Sequence, residues 1–228
     1  MTCSLHEWSA TSDHFYRVAH RPNAWQFADW ANAGEDGTFG NRWDDPLGVY
    51  RVLYASHQRR GTFYETLSRF RPDPFVVAGL AEIEGSDEVW PPGHVPRSWL
   101  SKRVMGEAVL TGIFAAVGDS NSLSYLRDAM AASLLRYKLN ELDAATIRFG
   151  VPRRFTQEIS RHVFECTTVD EKRAFDGIFY LSRLGDDLEN LAVFEPAEFV
   201  EVRSEAIDEH DQDLQHVLRR YGLTFYDE

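Results

Sequence analysis

The stretch Gly40-Asn-Arg-Trp-Asp-Asp-Pro-Leu-Gly-Val-Tyr-Arg-Val-Leu-Tyr-Ala-Ser56 decides how the chain is read. Its first half crowds glycine, asparagine, aspartate and proline around one arginine and one tryptophan, which is loop composition. Its second half, Val49 to Ala55, is β-branched and aromatic, which is strand composition. A loop carrying Arg42 and Trp43 therefore feeds a strand carrying Tyr54. Downstream, Thr62 to Phe70 sets Phe63, Leu67 and Phe70 at helical spacing, and Pro72 and Pro74 close the helix. Upstream, Phe15 to Ala19 reads as a short first strand. Phe75 to Glu84 has strand character as well.

From about Arg97 to Glu165 the pattern turns helical. Met130, Leu134, Leu135, Leu139 and Leu142 recur at three- and four-residue steps, as one apolar helix face would. Gly177 to Arg183 and Leu191 to Phe194 return to strand character around an acidic turn, a hairpin pattern. Asp208 to Tyr221 reads as a last amphipathic helix. No repeat or linker divides the chain. The expectation is one mixed α/β (α+β) domain over residues 1–228, a sheet with flanking helices and a helical insertion at about residues 97–133.

The chain has 228 residues, a formal net charge of −12 and 43% hydrophobic residues. At this length folding buries roughly 70% of the unfolded surface, so the core needs no metal or disulfide. Acidity of this size disfavours a general nucleic-acid binder, whose affinity comes from clustered Lys and Arg. The charge is uneven. Residues 15–71 hold eight arginines against six acids, enough to bind a small anion, whereas residues 184–228 hold three arginines against thirteen acids. That acidic end reads as a solvated face or as a surface for a basic partner.

Cys3 and Cys166 lie far apart without metal-ligand spacing, so the expectation is reduced thiols in the cytoplasm, without a zinc module. The opening residues lack a basic and apolar signal pattern, and no apolar run approaches the ~20 residues that span a bilayer. Phosphate-loop, dinucleotide, zinc-protease and hydrolase templates are absent. The eight histidines are scattered. Asp44-Asp45 could hold a divalent cation, but adjacent side chains diverge and a turn explains them as well. No metal is expected.

Several blocks in order resemble the RES domain family, named for its arginine, glutamate and serine. They are Tyr16-Arg17-Val18, Gly40-Asn-Arg-Trp43 with Pro46 and Gly48, Leu53-Tyr-Ala-Ser56, and Glu65 before Leu67. Phe155-Thr-Gln157, Phe175 to Arg183 with Ser182, and Asn190 to Phe194 fit the family's later part. The resemblance implies an ADP-ribosyltransferase-like fold and an enzyme that consumes NAD. It also implies the toxin half of a toxin–antitoxin pair, whose partner would be an Xre-type helix-turn-helix antitoxin that supplies any DNA binding.

The implied roles suit the residues. Breaking the nicotinamide–ribose bond passes through an oxocarbenium-like state that a carboxylate stabilises, which points to Glu65. A pyrophosphate calls for a guanidinium fork, Arg42 helped by Arg17. Tyr54, and less directly Trp43, would wall a flat ring, and Ser182 would orient ribose, phosphate or the nucleophile. Each has a plainer reading. Thr62-Phe-Tyr-Glu65 fits a capping box, Arg42 a surface arginine, Arg17 half of an ion pair, Tyr54 and Trp43 packing, and Ser182 a strand end. The acceptor stays open between water, inorganic phosphate and a protein side chain, the last making the chain an ADP-ribosyltransferase. A non-catalytic nucleotide- or partner-binding domain is the other class.

Overall fold

Two 14-residue strands, β1 (Glu7–His20) and β4 (Arg103–Ala116), pair antiparallel from Glu7 opposite Ala115 to His20 opposite Arg103 and form the spine of the protein. The computed structural model describes residues 3–72 and 93–227, and the strand expected over Phe75 to Glu84 lies outside them. β2 (Val52–Ser56) touches β1 through one pair, Tyr16 opposite Ser56, and runs antiparallel to β6 (Glu189–Phe194). β6 makes the expected hairpin with β5 (Gly177–Leu181), and β5 lies parallel to the end of β4. β7 (Val200–Ala206) takes the rest of that edge of β4. The order β1-β2-β6-β5-β4 thus returns to β1, a ring zipped along β1–β4 and barely joined between β1 and β2. A separate parallel pair joins β3 (His94–Pro96) to β8 (Thr224–Tyr226).

The helices pack on this sheet. They are α1 (Arg59–Leu67), α2 (Ser98–Ser101), α3 (Ser120–Ala129), α4 (Ala131–Arg136), α5 (Ala144–Phe149), α6 (Arg153–Phe164) and α7 (Gln212–Tyr221). Strand alternation sorts the core. Leu191 and Val193 of β6 join Phe15, Leu53, Ala108 and Phe114 in one cluster. Ala192 and Phe194, one residue out of step, face a second cluster with Leu126, Phe155, Ile159 and Val163. Phe63, Leu67, Trp99, Leu214 and Val217 form a third against Met105. The result is a mixed α/β fold.

Four expectations need correction. Within the insertion expected at residues 97–133, Arg103–Ala116 is a sheet strand, and only α2, α3 and the start of α4 are helical. Ala, Met, Glu and Leu gave this stretch its helical look, but Gly106 and Gly112 would each cost a helix about 1 kcal/mol. In the sheet they are needed. A Cβ at Gly106 would lie 2.4 Å from Ala24 Cβ, and one at Gly112 2.8 Å from an Asp176 carboxylate oxygen.

The apolar stripe from Met130 is interrupted as well. α4 ends at Arg136 and Lys138 turns with φ 56°, so Met130, Leu134 and Leu142 are buried while Leu135 is 82% exposed. The first strand starts at Glu7 rather than Phe15, passing a bulge at Ser12. Finally, Cys3 and Cys166 form a disulfide with their Cα atoms 5.6 Å apart. The 163-residue separation concealed that the chain's start runs beside the end of α6.

The hairpin register makes a direct prediction. A Cβ at Gly177 would sit 2.2 Å from the Ala192 carbonyl oxygen, so Gly177→Ala is expected to lower unfolding free energy by about 1–3 kcal/mol in urea. An unchanged midpoint would contradict this β5–β6 pairing.

Candidate functional site

The loop before β2 owes its shape to the acidic pair. Asp44 Oδ2 accepts the backbone N–H groups of Phe39 (2.9 Å) and Asn41 (2.7 Å), and Asp45 Oδ2 accepts that of Val49 (2.5 Å). Both carboxylates are buried. They brace a turn, as the plainer reading had it. The Tyr54 hydroxyl accepts the Trp43 N–H at 2.9 Å and reaches Asp44 Oδ1 at 3.4 Å. α6 holds the loop from behind, with Gln157 Nε2 donating to the Asn41 carbonyl (3.1 Å) and Ser160 Oγ to that of Trp43 (2.6 Å).

This bracing sends neighbouring side chains in opposite directions. Trp43 is 0% exposed and packs in the core beside Tyr180, which corrects its assignment as a substrate wall. Arg42 is squeezed between Gly150 and the Tyr180 ring. A Cβ at Gly150 would lie 2.8 Å from Arg42 Nε, and Arg42 Cζ stands 5.4 Å from the ring centroid. Its Nη1 is buried without a hydrogen-bond partner among the described residues.

Glu65 is not a helix cap. α1 starts after Gln58, and Thr62 Oγ1 donates to the Arg59 carbonyl at 2.9 Å, so no capping box forms. Glu65 Oε1 instead accepts from Ser182 Oγ at 2.7 Å and Asn190 Nδ2 at 2.9 Å. The Ser182 oxygen also accepts the Leu184 N–H at 3.0 Å, and the serine is 1% exposed. Its only proton is therefore directed at Glu65, and it positions the carboxylate rather than meeting a ligand. Glu65 Oε2 has no protein partner among the described residues, and the residue is exposed.

Arg17 explains itself through strand periodicity. It stands two residues from buried Phe15, hence on the same face of β1, at the seam where β1 and β2 share one pair. Its Nη1 donates to the Tyr54 carbonyl at 3.4 Å, in place of a missing ladder partner, and its Nε is buried without a partner. No acid pairs with it among the described residues. Burial pushes its pKa down to about 10, so the group stays cationic at neutral pH.

These groups meet at a cavity of about 270 Å³ lined by Tyr16, Arg17, Tyr54, Glu65, Tyr180 and Asn190, among others. Arg17, Tyr54 and Glu65 were anticipated. Ser182 and Arg42 lie one layer behind, under Glu65 and against Tyr180. Asn190 and Tyr180 were not singled out. The former was visible only as a polar start to an apolar strand, the latter as the partner of Ser182 on one face of a strand. Burial raises the Tyr54 and Tyr180 phenols above their usual range, so both stay neutral donors. Tyr180 also lines a neighbouring cavity of about 480 Å³, where Trp8 and Phe179 stack with centroids 4.7 Å apart.

No family model, curated protein or solved structure matches the chain. The site is therefore characterised by its own geometry.

Tyr54→Phe is expected to destabilise the fold by about 1–3 kcal/mol, because it strands the Trp43 N–H and one Asp44 oxygen in a buried loop. Wild-type stability in thermal or urea unfolding would show that the hydroxyl does not hold the loop.

Proposed function

We propose that this chain cleaves NAD at the bond between nicotinamide and ribose, passing the ADP-ribosyl group to water or inorganic phosphate. The observation that carries the reading is Glu65, with one carboxylate oxygen held by Ser182 and Asn190 and the other without a partner among the described residues, in a cavity shared with Arg17, which meets no acid among them. The choice of NAD rests on the RES resemblance.

The chemistry follows from each group. As the glycosidic bond lengthens, positive charge grows on the ribose, and a fixed carboxylate stabilises that charge without reorganising. Two donors on Oε1 leave Oε2 to face the sugar or accept a ribose hydroxyl. Arg17 supplies a bidentate cation for the pyrophosphate, and no carboxylate among the described residues has to be displaced first. Tyr54 and Tyr180 offer aromatic walls, and the adjacent Trp8–Phe179 cavity suits the second ring system of a dinucleotide. Arg42 supports this arrangement by bracing Tyr180.

The same reading makes the chain the toxin of a pair, with an Xre-type antitoxin covering this cavity and the activity located in the cytoplasm. No helix among the described residues is long and apolar enough to cross a membrane.

Nicotinamide release from NAD, followed by chromatography with and without phosphate, tests the proposal. Glu65→Gln is expected to lower release at least about a hundredfold while melting as wild type does. Ser182→Ala should lose less, since Asn190 still holds Oε1. No release by the wild type would favour a domain that binds without turnover. Label on a protein target, with release dependent on that target, would favour an ADP-ribosyltransferase.

A further inference from the structure

Cys3 and Cys166 are joined beside a histidine. His162 lies in the last turn of α6, four residues before Cys166, and its Nε2 is 4.0 Å from Cys3 Sγ. The three potential ligand atoms lie within 4.8 Å of one another. Cys166 is fully buried, whereas Cys3 and His162 are half-buried, so the cluster sits just under the surface. The Tyr125 hydroxyl stands 3.1 Å from the same His162 Nε2, so it gives up this contact when the nitrogen binds a metal.

We propose that Cys3, His162 and Cys166 form a zinc site that becomes available when the disulfide is reduced. Tetrahedral zinc, with Zn–S of about 2.3 Å and Zn–N of about 2.0–2.1 Å, spaces its ligand atoms about 3.5–3.8 Å apart. The sulfur-to-nitrogen distance is already near that edge, and two reduced sulfurs part to a similar separation. Three protein ligands and one water complete the shell.

The chemistry balances. A dithiol passes two electrons and two protons to the Cys3–Cys166 bond and leaves as its own disulfide, giving two thiols. Zinc then binds both sulfurs as thiolates, releasing two protons to water, with no change in its own oxidation state. In either state residue 3 stays tied to α6, the helix whose Gln157 and Ser160 hold the Arg42 loop. Only the reduced, metal-free chain loses the tie. The inference does not depend on NAD cleavage.

The full chain, reduced with a dithiol and desalted without oxygen, is titrated with zinc against a chromophoric chelator and, separately, with cobalt(II). One equivalent per chain is expected, with a sulfur-to-cobalt charge-transfer band, and none for the oxidised chain. Cys3→Ser, outside the strands and helices, should abolish the band, and His162→Ala should weaken binding at least about tenfold. Zinc should also restore the melting temperature that reduction lowers. The proposal is overturned if the dithiol cannot open the bond in the folded chain. It is equally overturned if the reduced chain binds no more metal than the oxidised one, or if Cys3→Ser binds like the wild type.

Discussion

The antiparallel ladder between β1 and β4 is the constraint on which the other elements depend. It runs the length of both strands and fixes which face each residue of β1 presents. Phe15 and Arg17 share one face, Tyr16 and Val18 the other. Because β1 is committed to β4, its opposite edge meets β2 at one pair only, and the cavity occupies that open seam. A sheet fully zipped around the ring would have closed it. The site is thus a consequence of incomplete pairing, with Arg17 bonding a Tyr54 carbonyl that a strand N–H would otherwise serve.

Electrostatics separates this seam from the rest of the surface. Arg51, Arg59 and Arg161 each meet a carboxylate, so much of the chain's positive charge is neutralised locally. Arg17 and Arg42 instead carry buried nitrogens without partners among the described residues. Burying a cation's donors without partners costs stability, and the fold tolerates it at Arg42, which stands against Tyr180, and at Arg17, which lines the cavity beside Tyr54.

Helix α6 supports the site without touching it. Its Gln157 and Ser160 hold the carbonyls of the Arg42–Trp43 loop, Ser160 also meets the Tyr50 hydroxyl at 2.8 Å, and Arg161 reaches Asp45. The disulfide at the end of this helix fastens it to the segment before β1. Loop, helix and first strand are therefore one mechanical unit, in which a change at Cys166 and a change at Trp43 act on the same backbone.

Much of this was legible in the sequence, for local reasons. Turn formers and β-branched residues marked the loop and β2, helical spacing marked α1, and the acidic turn marked the β5–β6 hairpin. The RES resemblance picked out Glu65, Arg42 with Arg17 as its helper, Tyr54 and Ser182 as chemistry-bearing residues, with Arg42 rather than Arg17 as the main phosphate ligand. By contrast, Gly106 and Gly112 went unread, and the stretch around them reads as helical. Their purpose, room for Ala24 and for Asp176, exists only once distant segments are packed. Likewise Trp43 and Arg42 are adjacent in sequence, and only the fold sends one into the core and the other against Tyr180. The sequence by itself determined the residue types and the periodicities, which depend on neighbours a few positions away. Tertiary structure alone decided that Ser182 and Asn190 would share Glu65, that Arg17 would bond the Tyr54 carbonyl, and that Cys3 would meet Cys166. Those outcomes turn on which residues a ring of strands brings within about 3–4 Å, and sequence separation carries no information about that distance.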